Sequence, residues 1–138
     1  MDRYGDVAVM RRLLIDSTTW AVVGLGENPA RPAYEVAEFL RSQGKRIVPV
    51  HPAAATVLGE PGFPTLSAVP FPVDVVDLFV APARVGAIVD EAIAVGAPAV
   101  WLQLGVVDEA AAARARAAGL DVVMNYCPKL EAPRLLSW

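Results

Sequence analysis

The sequence is poor in the side chains that carry most metal and redox chemistry. Its 138 residues include one cysteine and one histidine, and aromatic residues make up only 7% of the chain. The single cysteine, Cys127, excludes an internal disulfide and is typical of a reducing compartment. One cysteine and one histidine also provide no His/Cys cluster for a metal ion. We therefore predict a cytoplasmic protein without a metal site.

Long apolar runs and a strong excess of one charge are also missing. The chain is 55% hydrophobic, but no run approaches the roughly 20 apolar residues that cross a bilayer. Its first residues include acids and lack a secretory signal pattern. The net charge is −3, and the scattered basic residues form no footprint for nucleic acid. The expected partner is a small ligand or another protein, not nucleic acid or a membrane.

Helical and strand-like patterns alternate along the chain, without a repeat or a linker. Residues 1–17 are predicted to form an N-terminal helix packed on a single domain, residues 18–138. The predicted strands cover residues 21–24, 46–50, 73–80, 98–104 and 121–125. The predicted helices cover residues 6–16, 32–43, 82–96, 108–119 and 128–136, and residues 51–72 are predicted to be an irregular loop.

The strands are nearly continuous apolar runs, which is typical of parallel sheets covered by helices on both faces. We predict an α/β fold with a three-layer, doubly wound, Rossmann-like parallel sheet of about five strands in the order 3-2-1-4-5. In that order the chain reverses direction between strands one and four. A ligand crevice is therefore expected between the turn after Gly24 and the turn after Leu102.

The first of these turns lies in "WAVVGLGENPARPAY", residues 20–34. Gly24 and Gly26 let the backbone approach a ligand, and the following helix favours a phosphate at its start. Arg31 stands at that start, where a cation is unfavourable unless an anion lies beside it. The alternative is a tight turn with Arg31 in solvent. If the turn binds phosphate, valine at Gly24 is expected to block the ligand and leave the fold largely intact.

An ordinary nicotinamide dinucleotide does not fit this turn. A G-x-G-x-x-G fingerprint requires glycine at position 29, where the chain has Pro29. A NAD site also needs an acidic residue after the second strand to hold the ribose. That position reads Val50-His51-Pro52, with no carboxylate.

Six segments of the chain are spaced as in a known family. They are "WAVVGLGENPARPAYEVAEFL", "IVPVHP", "VLGE", "PVDVVDLF", "VWLQLGV" and "VVMNYCPKLE". Over residues 18–136 the sequence resembles the stand-alone CoA-binding proteins, whose domain is similar to the CoA-binding domain of succinyl-CoA synthetase alpha subunits.

The resemblance implies a Rossmann-like fold that binds coenzyme A or an acyl-CoA. It implies a diphosphate on Gly24, Leu25 and Gly26, with Asn28, Arg31 and Pro32 completing the phosphate cradle. It further implies that the adenosine lies beside Val50, His51 and Pro52, and that Gln103, Leu104 and Gly105 face the ligand across the crevice.

Besides His51, where members more often have asparagine before the proline, the chain departs from this family at two places. Members often carry arginine just after the third strand, where this chain has Val80-Ala81, and Asp-Arg before the cysteine, where it has Asn125-Tyr126. These differences put shared phosphate contacts or chemistry at those positions in doubt.

The residues favour a ligand-binding protein over an enzyme. The phosphohistidine loop and the ATP-grasp half of succinyl-CoA synthetase have no counterpart in the sequence, so the isolated chain is not expected to have that activity. Two alternatives remain open: a small enzyme that uses NAD(P) or an acyl-CoA, and a regulatory or scaffold subunit with a decayed pocket. A homo-oligomer or a complex with a partner enzyme is also open.

Several side chains have two interpretations. His51 is expected to stack on or hydrogen-bond to the nucleotide, with a catalytic base or a surface histidine as alternatives. Cys127 is expected to be a small buried apolar residue, although a mixed disulfide with the CoA thiol is a second hypothesis. Asp74 and Asp77 are predicted to be hydrogen-bonding residues at turns and strand ends. The tryptophans, Trp20, Trp101 and Trp138, are predicted to be structural.

Overall fold

The computed structural model describes residues 2–136, in which helices and strands alternate. The helices are α1 Val7–Asp16, α2 Pro32–Ser42, α3 Pro82–Ala94, α4 Glu109–Ala117 and α5 Pro128–Leu136. The strands are β1 Thr19–Val23, β2 Arg46–Val50, β3 Val75–Leu78, β4 Ala99–Leu102 and β5 Asp121–Met124. A short 3-10 turn, Leu66–Ala68, lies in the connection from β2 to β3. All five predicted helices and all five predicted strands are present, and β3 and β4 are shorter than predicted.

The five strands form one parallel sheet in the order β2-β1-β3-β4-β5. The predicted order 3-2-1-4-5 is therefore wrong in the position of β3. This strand lies between β1 and β4, and Val22 of β1 is paired with Asp77 of β3. The connection after β2 crosses β1, so the reversal of chain direction lies between β1 and β3.

Proline in β2 gives a physical reason for this order. Pro49 has no N–H to donate, and prolines in sheets are confined to edge strands and bulges. Its carbonyl points to the outer side of β2, where it accepts from the N–H of Phe63 at 2.9 Å. The missing N–H therefore lies at an edge, whereas the predicted order would have buried it between two strands.

Helices cover both faces of the sheet and give the predicted three layers. On one face the apolar sides of α3 and α4 pack on the sheet through buried residues Val85, Val89, Ala92, Ala111, Ala112 and Ala115. On the other face α1, α2 and α5 pack through Met10, Leu13, Leu14, Ala33, Val36, Ala37, Leu40, Ala132 and Leu135. Among residues 2–136, no helix combines the length and apolar character needed to cross a bilayer.

Two tryptophans form the centre of the second layer. Trp20 and Trp101 are fully buried, with ring centroids 5.6 Å apart. Each indole N–H has an acceptor: Ser17 Oγ at 2.6 Å for Trp20 and the Tyr126 carbonyl at 2.9 Å for Trp101. Both therefore have the structural role predicted from the sequence, and Trp138 lies outside the described residues.

Asp74, just before β3, and Asp77, within β3, differ in their hydrogen bonding. Asp74 accepts hydrogen bonds from the N–H groups of Thr18 and Thr19 at 2.8 and 2.9 Å, as expected of a strand-end residue. Asp77 was predicted to have a similar role, and this prediction is wrong. Its side chain is fully buried beside Trp101, and both carboxyl oxygens lack a partner within the described part of the chain. Burial raises the pKa of Asp77 well above the usual carboxyl range.

We expect Asp77→Val to stabilise the protein at neutral pH by about 1–3 kcal/mol, the cost of a buried polar group without a partner. The folded state holds a proton on Asp77 that the unfolded state loses above about pH 4. The stability of the wild type should therefore fall relative to that of the variant as pH rises. Urea unfolding across a pH series measures this difference. Asp77→Asn is the control that keeps a polar group but cannot ionise, and a pH-independent difference between Asp77→Asn and the wild type would contradict the prediction.

Candidate functional site

A crevice opens at the carboxyl edge of the sheet, above the junction of β1 and β3. Because α2 and α3 follow these neighbouring strands and cover opposite faces, both helices begin at this crevice. Its volume is about 990 Å³, near the upper end for small-molecule sites. Two smaller hollows, of about 370 and 480 Å³, lie elsewhere on the described residues.

The structure brings ten of the twelve predicted binding residues to this crevice. They are Gly24, Gly26, Asn28, Arg31, Pro32, Val50, His51, Pro52, Gln103 and Leu104. Leu25 and Gly105 do not line it. The Leu25 side chain is fully buried, and the Gly105 N–H donates to Asn125 Oδ1 at 2.7 Å.

Gly24, the first glycine of the turn, is required by the fold. Gly24 has a φ of +101°, and its N–H donates to the Val50 carbonyl at 2.8 Å. A Cβ on Gly24 would clash with the carbonyl oxygen of Phe79. The expectation that valine at Gly24 leaves the fold intact is therefore wrong, because both the space and the backbone conformation require glycine.

The free donors come immediately afterwards. Within residues 2–136, the N–H groups of Gly26, Glu27 and Asn28 have no hydrogen-bond acceptor. Asn28 holds the turn in shape, since its Oδ1 accepts from the Ala30 N–H at 3.0 Å and its carbonyl accepts from the Arg31 N–H at 3.1 Å. Three successive free N–H groups beside the start of a helix favour an anion.

Two arginines line the same crevice, at the starts of helices that cover opposite faces of the sheet. Arg31 is the residue before α2, and Arg84 lies in the first turn of α3. Neither helix start has a side-chain cap. Among the described residues, neither guanidinium takes part in an ion pair. Cations beside two helix N-termini are unfavourable alone, and an anion between them would be stabilised by both.

Two carboxylates share the crevice with these arginines. Glu27 belongs to the glycine turn, and Glu91 lies two turns into α3. The Glu91 Oε2 accepts from the Ser67 hydroxyl at 2.7 Å, which ties α3 to the 3-10 turn. Neither acid follows β2, where a ribose-binding carboxylate of a NAD site would stand.

The far side of the crevice is formed by the end of β4. Gln103 is 8% exposed, and its Oε1 has no partner among the described residues. Its backbone is fixed, since the N–H donates to the Leu78 carbonyl at 3.3 Å and the carbonyl accepts from Val106 at 2.7 Å. The exposed Leu104 continues this side as an apolar surface.

Sequence reasoning missed the contribution of β3 and α3. None of the twelve predicted binding residues belongs to these two elements or to the turn between them, yet the crevice is lined by Phe79, Val80, Ala81, Arg84, Ile88 and Glu91. The signal that could have found them is Pro49, which favours β2 as the edge strand. Arg84 also brings a guanidinium to the edge at which Val80 and Ala81 provide none.

Cys127 lies in the core and not in the crevice. It is 7% exposed and packs in the layer that contains Trp20 and Trp101. This is the small buried apolar residue expected from the sequence. It does not line the crevice, so the geometry gives no support to a mixed disulfide with a ligand bound there.

Comparisons with known proteins give a consistent picture. A family model described as "CoA binding domain" matches residues 18–133. The Bacillus subtilis (strain 168) "Uncharacterized protein YneT" is 30% identical over 123 residues, covering 89% of this chain and 91% of its own. A hypothetical protein from Pyrococcus horikoshii OT3 is 35% identical with a TM-score of 0.90, over 96% of this chain and 93% of that one.

A longer protein contains a similar fold. The dinucleotide forming acetyl-coenzyme A synthetase 1 of Ca. Korarchaeum cryptofilum, in its apo form, matches with a TM-score of 0.71 at 25% identity. The match covers 84% of this chain and 28% of the synthetase chain.

The two glycines of the turn should respond differently to alanine. Gly24→Ala is expected to lower the free energy of unfolding by about 1–3 kcal/mol or more, because of the strained φ and the clash with Phe79. Gly26→Ala should change it by less than about 0.5 kcal/mol, because its Cβ would meet only the His51 ring, at 3.6 Å. Urea unfolding of both variants measures these values. Equal destabilisation would show that the turn is described incorrectly.

Proposed function

The chain belongs to the CoA-binding domain family, and from that premise we propose that it binds coenzyme A or an acyl-CoA in this crevice. The diphosphate would lie on the N–H groups of Gly26, Glu27 and Asn28, between Arg31 and Arg84. The observation that carries the proposal is the meeting of two helix starts and a turn at one crevice. Within residues 2–136, neither start has a side-chain cap, neither arginine is in an ion pair, and three successive N–H groups of the turn have no acceptor. A diphosphate has two anionic groups to satisfy them.

The adenosine would lie toward β2, beside Val50, His51 and Pro52. Crevice space continues there along Ala53 and Ala55, small residues that leave room for a ring system. No carboxylate follows β2 to hold a ribose diol. This supports CoA over NAD, because the CoA ribose carries a phosphate where NAD offers a hydroxyl pair.

The pantetheine would run the other way, across β3 to the end of β4. Its amide groups need both donors and acceptors, and the unpaired Oε1 of Gln103 is an acceptor at that end. The neighbouring side chains Ile88, Leu104 and Val106 give an apolar path. The buried amide oxygen would gain a partner on binding, which removes the cost of leaving it unpaired.

We propose binding without chemistry at this site. The crevice is lined by one histidine and two carboxylates, Glu27 and Glu91, and by no cysteine. Of the described lining residues, none is a nucleophile hydrogen-bonded to a base, the arrangement that covalent catalysis requires.

Calorimetry with CoA, NAD and NADP tests the proposal. We expect CoA to bind at least about tenfold more tightly than either dinucleotide, a difference of roughly 1.4 kcal/mol. Preference for a dinucleotide would favour the enzyme alternative. Binding of none of the three would favour a regulatory or scaffold subunit, and either result would overturn the proposal.

Arginine variants test the position of the diphosphate. Arg31→Gln and Arg84→Gln should each weaken CoA binding about tenfold, the loss of a hydrogen bond to a charged group. Arg41→Gln is the matched control, since Arg41 lies in the last turn of α2, at its opposite end. Calorimetry at constant ionic strength measures all three. Equal losses in the three variants would indicate a general charge effect and contradict the assignment.

A further inference from the structure

His51 is held rigidly at the carboxyl end of β2. Its N–H donates to the Phe63 carbonyl at 3.0 Å, and its carbonyl accepts from the Ala54 N–H at 2.8 Å. These bonds fix the backbone on both sides of the residue. The direction of the imidazole is therefore set before any ligand binds.

The ring is fixed by a third hydrogen bond. The Ala53 N–H donates to Nδ1 of His51 at 3.1 Å. A backbone N–H can only donate, so Nδ1 must be the acceptor. In a neutral imidazole one nitrogen accepts and the other carries the proton. The proton of the neutral ring is therefore on Nε2.

The protonated nitrogen faces the glycine turn. The Nε2 and Cδ2 atoms lie 3.6 Å from the position that a Cβ on Gly26 would take. Within residues 2–136, Nε2 has no hydrogen-bond partner. Gly26 is also the first of the three successive residues with a free N–H.

From this geometry we infer that His51 is a hydrogen-bond donor to the phosphate bound at the glycine turn, through Nε2–H. The inference rests on the proposed function and deepens it, because it assigns the imidazole to the diphosphate and not to stacking on the adenine. Ala53 sets the tautomer, and Nε2–H adds a side-chain donor to the backbone donors of Gly26, Glu27 and Asn28.

The same bonding disfavours His51 as a general base. Its Nδ1 lone pair is occupied by the Ala53 N–H, and Nε2 carries a proton toward the crevice. A base must present an unprotonated nitrogen to its substrate. Binding and not proton abstraction is thus the role that fits this ring.

Nitrogen-15 NMR of the imidazole tests the inference directly, because His51 is the only histidine in the chain. Spectra are recorded at a pH at which the ring nitrogens give the chemical shifts of neutral imidazole. The ligand-free protein should then show a protonated Nε2 and an unprotonated Nδ1. ADP and CoA should shift the Nε2 resonance more than adenosine does, because adenosine can contact the ring but has no phosphate to accept from Nε2–H. A proton on Nδ1, or an Nε2 signal that responds equally to adenosine and ADP, would overturn the inference.

Two variants give a binding readout for the same donor. His51→Leu should weaken CoA binding about fivefold to tenfold, and His51→Gln, which retains an N–H donor, should recover most of that affinity. Wild-type protein that binds CoA with an unmoved Nε2 would overturn the role of His51 and leave the CoA proposal intact. Absence of CoA binding by the wild type would overturn both.

Discussion

The direct pairing of β1 with β3 is the constraint on which the site depends. Their following helices cover opposite faces of the sheet, so the pairing brings the starts of α2 and α3 to one crevice. Each helix start contributes partial positive charge, and each carries an arginine that the described residues do not neutralise. If another strand separated β1 from β3, the two positive ends would no longer meet at the same crevice.

In the proposed binding mode, different residues of the glycine turn hold the fold and bind the ligand. Gly24 and Leu25 use their N–H groups within the protein, at the carbonyls of Val50 and Val22. The N–H groups of the next three residues have no acceptor in the part of the chain that the structure describes. The position of α2 also explains why the chain can have Pro29 where a dinucleotide fingerprint has glycine, because α2 begins only at Pro32. The third glycine of a dinucleotide fingerprint allows close packing of helix on strand, and position 29 here lies outside the helix.

The sequence predicted the helices and strands, because buried parallel strands and helix starts leave strong local patterns, and ten of the twelve residues predicted to bind a ligand line the crevice. It failed on strand order, since the connection from β2 to β3 has no periodicity to show which side of β1 it reaches. Pro49 is the residue that indicated the strand order, because it favours β2 as an edge strand. With β3 beside β1, the helix that follows β3 brings Arg84 to the crevice. Two features require coordinates, because residues distant in the sequence decide them: the Gly105 N–H is occupied by Asn125, and Asp77 has no partner within residues 2–136.

A crystal structure of the protein with CoA tests the central claim most directly. We expect phosphate oxygens within hydrogen-bonding distance of the N–H groups of Gly26, Glu27 and Asn28, with the guanidinium groups of Arg31 and Arg84 on either side. CoA bound at another surface, with no phosphate at the glycine turn, would contradict it.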